Sequence, residues 1–368
     1  MVVNKKLKNL IGIIKGGGTG PELIESAIAV IRAIEDLTGQ KFNLEYFDNE
    51  RWYNQINFEV YNRRLHEAFT EFFNHIKKSN GIILRGAINA PVLYKLREEF
   101  NLIYKVTPIH GIPELSDLTR FSKDGLKGLD IVLTRENIHG LFHAINRKYS
   151  EKMAEILVRY PRRDVEDYAH FVFKLAKQRN KHLHLAMPTR KTGVIGKLWE
   201  EVFETISKSY PQVNFHRMYS NINNPCRWIQ TRKEFDEVYG PFDVIAGPDD
   251  LMDSFMDDMA WAVHGELTMA PSGDFSRDGF ASYQTVHGTQ RPIAGKDEAN
   301  PIGMIHALAM AFEYSFGMKR EADMIRKAVR KTLAEGYRTT DIYRGKSNTK
   351  LVGTKEMTEK IIQNLYEG

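Results

Sequence analysis

The 368-residue sequence predicts an α/β fold. Short apolar runs alternate along it with longer segments of helical period, and each run is closed by glycine, proline or polar turn residues. Parallel strands joined through crossover helices leave this alternation. Residues 11–14 read as the first buried strand; a glycine turn follows, and residues 21–34 carry apolar side chains at helical spacing behind Pro21, a residue suited to a first helical turn. Residues 81–84, 130–133, 182–187 and 242–246 read as further strands. Residues 304–316 are apolar almost all round, which predicts a helix buried in the core or against a second subunit, whereas the basic face of residues 319–333 reads as solvated surface.

A hydrophobic content of 42% over this length supports two domains or one interleaved unit. The net charge of +5, from 52 basic and 47 acidic residues without a long run of one sign, argues against a nucleic-acid partner. The single cysteine, Cys226, excludes an intrachain disulfide and a cysteine-rich metal site, so a reducing cytoplasm is expected. Lys15 and the glycines after it break the N-terminal apolar stretch too early for a signal peptide, and nowhere do the roughly 18 consecutive apolar residues of a membrane span occur. No membrane partner is expected. No repeat or low-complexity linker divides the chain.

The chemistry-bearing motifs begin with Gly16-Gly17-Gly18-Thr19-Gly20-Pro21-Glu22, between the first strand and helix, where glycines allow a tight turn and close approach of a ligand or of backbone. Its spacing is not the usual dinucleotide fingerprint. Read with later segments it resembles the GDGIGPE opening of the isopropylmalate/isocitrate dehydrogenases, the metal-dependent β-decarboxylating dehydrogenases. Leu84-Arg85-Gly86-Ala87-Ile88-Asn89-Ala90-Pro91 is similar to that family's LKGPxGTP, and Leu96-Arg97 opens its LRxxxxLYxNxRP. Residues 130–141 resemble DIxxVRExTxGxY, Phe242-Asp243-Val244-Ile245 matches FDVI, and residues 286–301 resemble VHGTAPDIAGKxxANP. The matches keep the family's order over nearly the whole chain.

The resemblance implies an isopropylmalate-dehydrogenase-like fold, with a large nucleotide-binding domain from residues 1–105 and 250–368 and a smaller domain, bearing dimer-forming elements, from residues 106–249. It implies a homodimer whose subunits complete each other's sites. It further implies oxidation of a small malate-like or other hydroxy acid by hydride transfer to NAD(P), with a divalent Mg²⁺ or Mn²⁺ ion assisting loss of carbon dioxide.

Carried over residue by residue, Arg97 and Arg135 occupy two of three substrate-arginine positions, where a guanidinium fork matches a carboxylate. Asn89 is carried over as a substrate contact. The third arginine is replaced by Thr107, a loss of about 1.5–3 kcal/mol toward an anionic acid, which points to a substrate of lower charge. For the metal, the family's GDxxSD places two carboxylates one helical turn apart. Counting back from Pro271 sets these at Ser254 and Asp258; a shift of one residue sets them at Asp253 and Asp257. A third carboxylate, expected from the neighbouring subunit after Tyr219, reads as Asn221. The family's proton-donating tyrosine aligns with Phe142, and its lysine with Lys191, or with Thr189 by ungapped counting. His287, Gly288, Thr289 and Asn300 are retained where the family cradles adenosine. The acidic residue with which NAD-dependent members hold the ribose aligns with Pro292, and Arg344 matches an arginine that NADP-dependent members set against the 2′-phosphate, so the cofactor is expected to be NADP.

Two further readings follow from the replaced positions. One is a noncatalytic relative that keeps the fold for ligand binding, regulation or assembly. The other is a different reaction on a related acid, served by His139, His143 or His264.

Overall fold

A computed structural model describes residues 9–57, 60–187, 192–218, 236–237 and 240–368. Its strands, in chain order, are β1 (Leu10–Ile14), β2 (Asn43–Tyr46), β3 (Ile82–Arg85), β4 (Tyr104–His110), β5 (Asp130–Glu136), β6 (Ile145–Ser150), β7 (Met153–Leu157), β8 (His182–Leu185), β9 (Asn214–Arg217), β10 (Val244–Gly247), β11 (Pro271–Phe275), β12 (Ala281–Thr285), β13 (Tyr337–Arg338) and β14 (Lys350–Leu351). The helices are α1 (Gly20–Thr38), α2 (Asn49–Ile56), α3 (Arg63–Lys78), α4 (Ala90–Glu99), α5 (Lys123–Leu126), α6 (Arg162–Gln178), α7 (Gly193–Ser207), α8 (Asp249–His264), α9 (Ile302–Tyr314), α10 (Lys319–Ala334) and α11 (Thr354–Glu367).

Ten strands form one sheet in the order β2-β1-β3-β12-β11-β4-β5-β10-β8-β9. β2, β1, β3 and β12 are mutually parallel, as are β5, β10, β8 and β9. Between these blocks, β11 and β4 are antiparallel to each other and to their outer neighbours. The two parallel blocks therefore point in opposite directions, joined through this antiparallel seam. β1, β3 and β10 are buried throughout, the burial expected of parallel strands covered by helices on both faces. β4 buries Lys105 and Thr107 among its apolar residues because that face of the seam meets α8.

Both chain ends meet in the largest core, where Ile24, Val30 and Ile31 of α1 join Met304, Leu308 and Phe312 of α9 and Met357 and Ile361 of α11. α9 packs against α1, α10, β11 and β12 of its own chain, and its side chains are almost wholly buried there. This decides between the two expectations for residues 304–316: they are core, not a subunit surface. Exposed large apolar side chains lie elsewhere, among them Ile145, Tyr149, Met153 and Ile156 on the β6–β7 hairpin and Trp261 on α8. No helix of the described residues is long and apolar enough to cross a membrane.

Candidate active site

The seam brings three charged residues into line. Lys105 of β4 lies directly opposite Asp274 of β11 on one side and Arg135 of β5 on the other. Side chains in register across adjacent strands share one face of the pleat, so the three project together. Lys105 Nζ lies 3.2 Å from Asp274 Oδ1, and Arg97, from the last turn of α4, donates through Nε to Asp274 Oδ2 at 3.1 Å. Arg85 at the end of β3 approaches the same oxygen at 3.8 Å, and Gln284 donates to it at 3.2 Å. All three charged groups around this carboxylate are at least 95% buried.

Burial would raise the Asp274 carboxyl, but Arg97, Lys105 and Arg85 together hold it well below the usual range. The same burial pushes the Lys105 ammonium down to about 7, against the pull of Asp274, and the Arg85 guanidinium down to about 9. Arg135 is held differently: Nε and Nη2 both donate to Asn137 Oδ1, at 3.1 and 2.9 Å, and Nη1 bonds Asp253 of α8.

α8 follows β10 after Pro248 and ends at Gly265, whose left-handed φ of 76° allows its N–H to reach Trp261 O. Met252, Phe255, Met256, Met259, Ala260 and Val263 form its buried stripe. At the edge of that stripe Asp253 and Asp257 lie one turn apart, half-buried toward Arg135 and Lys105. Burial, then the neighbouring Asp253 carboxylate, push the Asp257 carboxyl up to about 6. Ser254 and Asp258 sit on the exposed side of the helix, and the register that assigned Asp258 to a metal is corrected accordingly. Two half-buried carboxylates at this spacing are hard oxygen donors suited to Mg²⁺ or Mn²⁺. Among the described residues no three acidic, histidine or cysteine side chains converge on one ion, so such an ion would take further oxygens from substrate or from beyond these residues.

The replaced positions divide. Thr107 is fully buried, with its hydroxyl 3.3 Å from Ser272 Oγ and 3.5 Å from Met256 Sδ. Phe142 stacks on Tyr94 with ring centroids 5.4 Å apart, and the Arg135 guanidinium lies 6.0 Å from its ring. Tyr94 thus stands among the site's charges: burial raises its hydroxyl pKa against Arg97 and Arg135. Asn89 caps α4, its Oδ1 accepting Val92 N–H and its Nδ2 donating to Val60 O. Its substrate-contact expectation is corrected, because that amide is committed to the helix start. Lys191, Thr189, Tyr219 and Asn221 lie outside the described residues.

The expected adenosine residues form a second group. Gly18 and Thr289 belong to loops in contact: Thr19 N–H donates to Thr289 O at 2.8 Å, and a Cβ on Gly18, whose φ is 56°, would fall 1.7 Å from that same oxygen. The glycine run is therefore needed for loop-to-loop docking. Beside it, the His287 ring bonds Gly288 O through Nδ1 at 2.9 Å, while its buried Nε2 finds no hydrogen-bond partner among the described residues. Gly288 faces open space. Asn300 donates to Asp341 Oδ2 at 3.0 Å, and half-exposed Arg344 folds back onto the carbonyls of Asp341 and Tyr343. An orphaned buried nitrogen beside an open glycine fits a nucleotide with polar edges.

The model of the isocitrate/isopropylmalate dehydrogenase family matches residues 10–361. The chain belongs to that family. A 3-isopropylmalate dehydrogenase of Aquifex aeolicus is 30% identical, covering 98% of both chains, and one of Neisseria meningitidis is 27% identical over 96% of this chain and 99% of its own. The fold is also that of a Methylococcus capsulatus isocitrate dehydrogenase structure, with a TM-score of 0.78 at 24% identity over 97% of this chain and 99% of that one.

For a member of the isocitrate/isopropylmalate dehydrogenase family, the histidines offer little alternative chemistry. His139 is half-buried; although burial works against its charge, the Glu136 carboxylate 3.0 Å away holds its pKa above the ordinary value. His143 bonds Glu98 at 2.6 Å. His264 Nε2 donates to the His110 carbonyl oxygen at 3.0 Å, which makes that nitrogen the protonated one, and burial pushes the ring's pKa down to about 4. It lines a separate cavity of about 450 Å³ with His110, His306 and Tyr314, which holds none of the expected site residues. Lys105, Asp274 and Tyr94 are the site residues that motif matching missed. The signal for Lys105 and Asp274 was present only as polar residues at alternate positions of β4 and β11, and Tyr94 lies on α4 between Asn89 and Arg97.

Proposed function

We propose that the protein oxidises a small malate-like 2-hydroxy acid by hydride transfer to NAD(P), with Arg97 and Arg135 binding carboxylate and Asp253 and Asp257 holding Mg²⁺ or Mn²⁺. The observation that carries this reading is that the two arginines and the two carboxylates, separated by over a hundred residues of sequence, share one face of the β4–β5 seam. When bound, the metal would polarise the hydroxyl carbon's oxygen and its oxidised carbonyl. The arginines orient the acid, and the half-buried setting of the site strengthens their hold. His287, Gly288, Thr289 and Asn300 would receive the adenosine half of the cofactor, in a nucleotide-binding domain drawn from residues 1–105 and 250–368.

Reduced-cofactor absorbance in the near ultraviolet, measured with Mn²⁺ and each of malate, tartrate, isopropylmalate and isocitrate, tests it. Metal-dependent turnover of a malate-type acid is expected, with isopropylmalate and isocitrate far below it, because Thr107 is sealed and Phe142 has no proton to give. Those same two features favour a second reading, a noncatalytic relative, and cofactor binding without turnover of any of the four acids would establish that one instead.

Arg344 supports NADP over NAD, since its guanidinium would meet the 2′-phosphate once it leaves the two carbonyls it now bonds and the Glu266 carboxylate 3.9 Å away. NADP should bind more tightly, and Arg344→Ala should bring the two dissociation constants to within a few-fold by losing a contact worth about 1.5–3 kcal/mol. Equal constants in the parent protein would remove the argument.

A homodimer is the expected assembly. The apolar side chains of the β6–β7 hairpin, with Tyr149 90% exposed, and Trp261 on α8 supply surface for a second copy. Light scattering should give twice the 42.4 kDa chain mass. A mass that stays monomeric at all concentrations would exclude any shared site.

A further inference from the structure

We infer that the cavity at the far end of the β4–β5 seam binds an uncharged polyhydroxy molecule of about sugar size. Occupancy of this cavity does not depend on whether the chain turns over an acid.

Three observations carry it. The first is place and size. The cavity, of about 450 Å³, lies between the end of β4, the start of β5 and the helices α9 and α10, and has the volume of a small-molecule site. His110 and Asp130, which pair at this end of the seam, stand five residues along β4 from the Lys105–Arg135 pair, roughly 17 Å away.

The second is a pair of imidazoles on the cavity wall, His264 and His306. His264 Nε2 gives its proton to His110 O, while Nδ1, on a residue 2% exposed, has no hydrogen-bond partner among the described residues. His306 Nδ1 donates to Met269 O at 3.2 Å, which leaves Nε2 a lone pair, again without a partner among the described residues. Burial keeps both rings neutral, their pKa values pushed down to about 4 and about 3. Each ring therefore offers an acceptor, and what both lack is a donor. The Tyr314 hydroxyl on the same wall is likewise unpartnered among the described residues.

The third is that the charges of the wall are already matched. Arg179 is paired with Asp130 and Asp243, Arg326 with Glu313 and Asp323, Lys319 with Asp323 and Arg330 with Glu114. The fifth lining cation, Lys327, is exposed to solvent. An anion entering the cavity would have to break one of these pairs, and its oxygens would bring lone pairs to two nitrogens that need hydrogens. A hydroxyl is uncharged and both donates and accepts. A polyol can thus give hydrogens to the two imidazoles and take one from Tyr314, which neither a phosphate nor a carboxylate can do.

Ribose and glucose are the probes, titrated onto the full-length protein and followed by saturation-transfer NMR. At least one should bind saturably. His306→Phe, which keeps a ring and removes the acceptor, should weaken that binding about 10-fold or more, and Tyr314→Phe, which removes one hydroxyl, about 3-fold or more. Lys327→Ala should leave it unchanged, and inorganic phosphate at equal concentration should not displace the sugar. Melting temperatures show whether each variant is folded; should His306→Phe fail to fold, the single-oxygen change at Tyr314 decides the matter. Absence of saturable binding by both sugars overturns the inference. So does sugar binding that keeps its parent strength in the folded variants, or that yields to phosphate. None of these outcomes touches the dehydrogenase reading, whose own failure would appear in the turnover of the four acids.

Discussion

Asp274→Asn is expected to destabilise the protein by about 3–5 kcal/mol, the cost of leaving buried cations without their counter-charge. Asparagine keeps the shape, so neither cavity nor clash confuses the result. What is removed is the one carboxylate shared by Arg85, Arg97 and Lys105, at a position with no exposure to solvent. The pH dependence follows from the same contacts. The folded carboxyl titrates below its unfolded value of about 3.9, so its contribution is complete above that value and is lost as pH falls through the folded one. Urea unfolding of parent and variant should therefore differ most at neutral pH and converge in strong acid. Equal stability at neutral pH would mean that the cluster's charges are compensated by something other than Asp274.

The second large effect concerns α8. Asp257→Asn should lower Mn²⁺ affinity and metal-dependent turnover by at least about 100-fold, since one of two anionic oxygen donors becomes a neutral amide. Asp258→Asn, one residue on and exposed, should change neither. Manganese binding measured by electron paramagnetic resonance separates the two without relying on a substrate. The reverse outcome, with Asp258 essential and Asp257 dispensable, would restore the register counted back from Pro271.

That register shows where the sequence stops being legible. Counting back from Pro271 crosses the left-handed Gly265 and the short 3₁₀ turn Leu267–Met269, where residues are added or lost freely. Counting forward from Phe242 runs through β10 directly into α8, with only Pro248 between them, and leaves no such slack. The strands seen in advance near residues 11, 82, 131 and 244 are built on continuous apolar runs because helices cover both their faces, while the one near 183 alternates histidine with leucine. β4, β11 and β12 escaped notice because their site-facing positions are Lys105, Thr107, Ser272, Asp274, Ser282 and Gln284, polar residues that look like a loop until the seam buries them. Arg97 and Arg135 were readable from motifs. Lys105 was not, since it becomes meaningful only once the register sets it between Asp274 and Arg135.

The placement of β12 beside β3 also bears on how the chain assembles during synthesis. β1, β2 and β3 are complete by residue 85, yet the far edge of β3, with its apolar Ile82, Ile83 and Leu84, pairs with residues 282 and 283. The loop that closes on Gly18 is later still, at residue 289, 270 positions beyond Thr19. Through most of translation the N-terminal block thus presents an open, hydrophobic strand edge whose natural partner does not yet exist, the kind of edge that pairs with other chains. Closure of the sheet is therefore a late, long-range event, slow by virtue of topology, and the nascent chain is at its most aggregation-prone before β11 and β12 emerge.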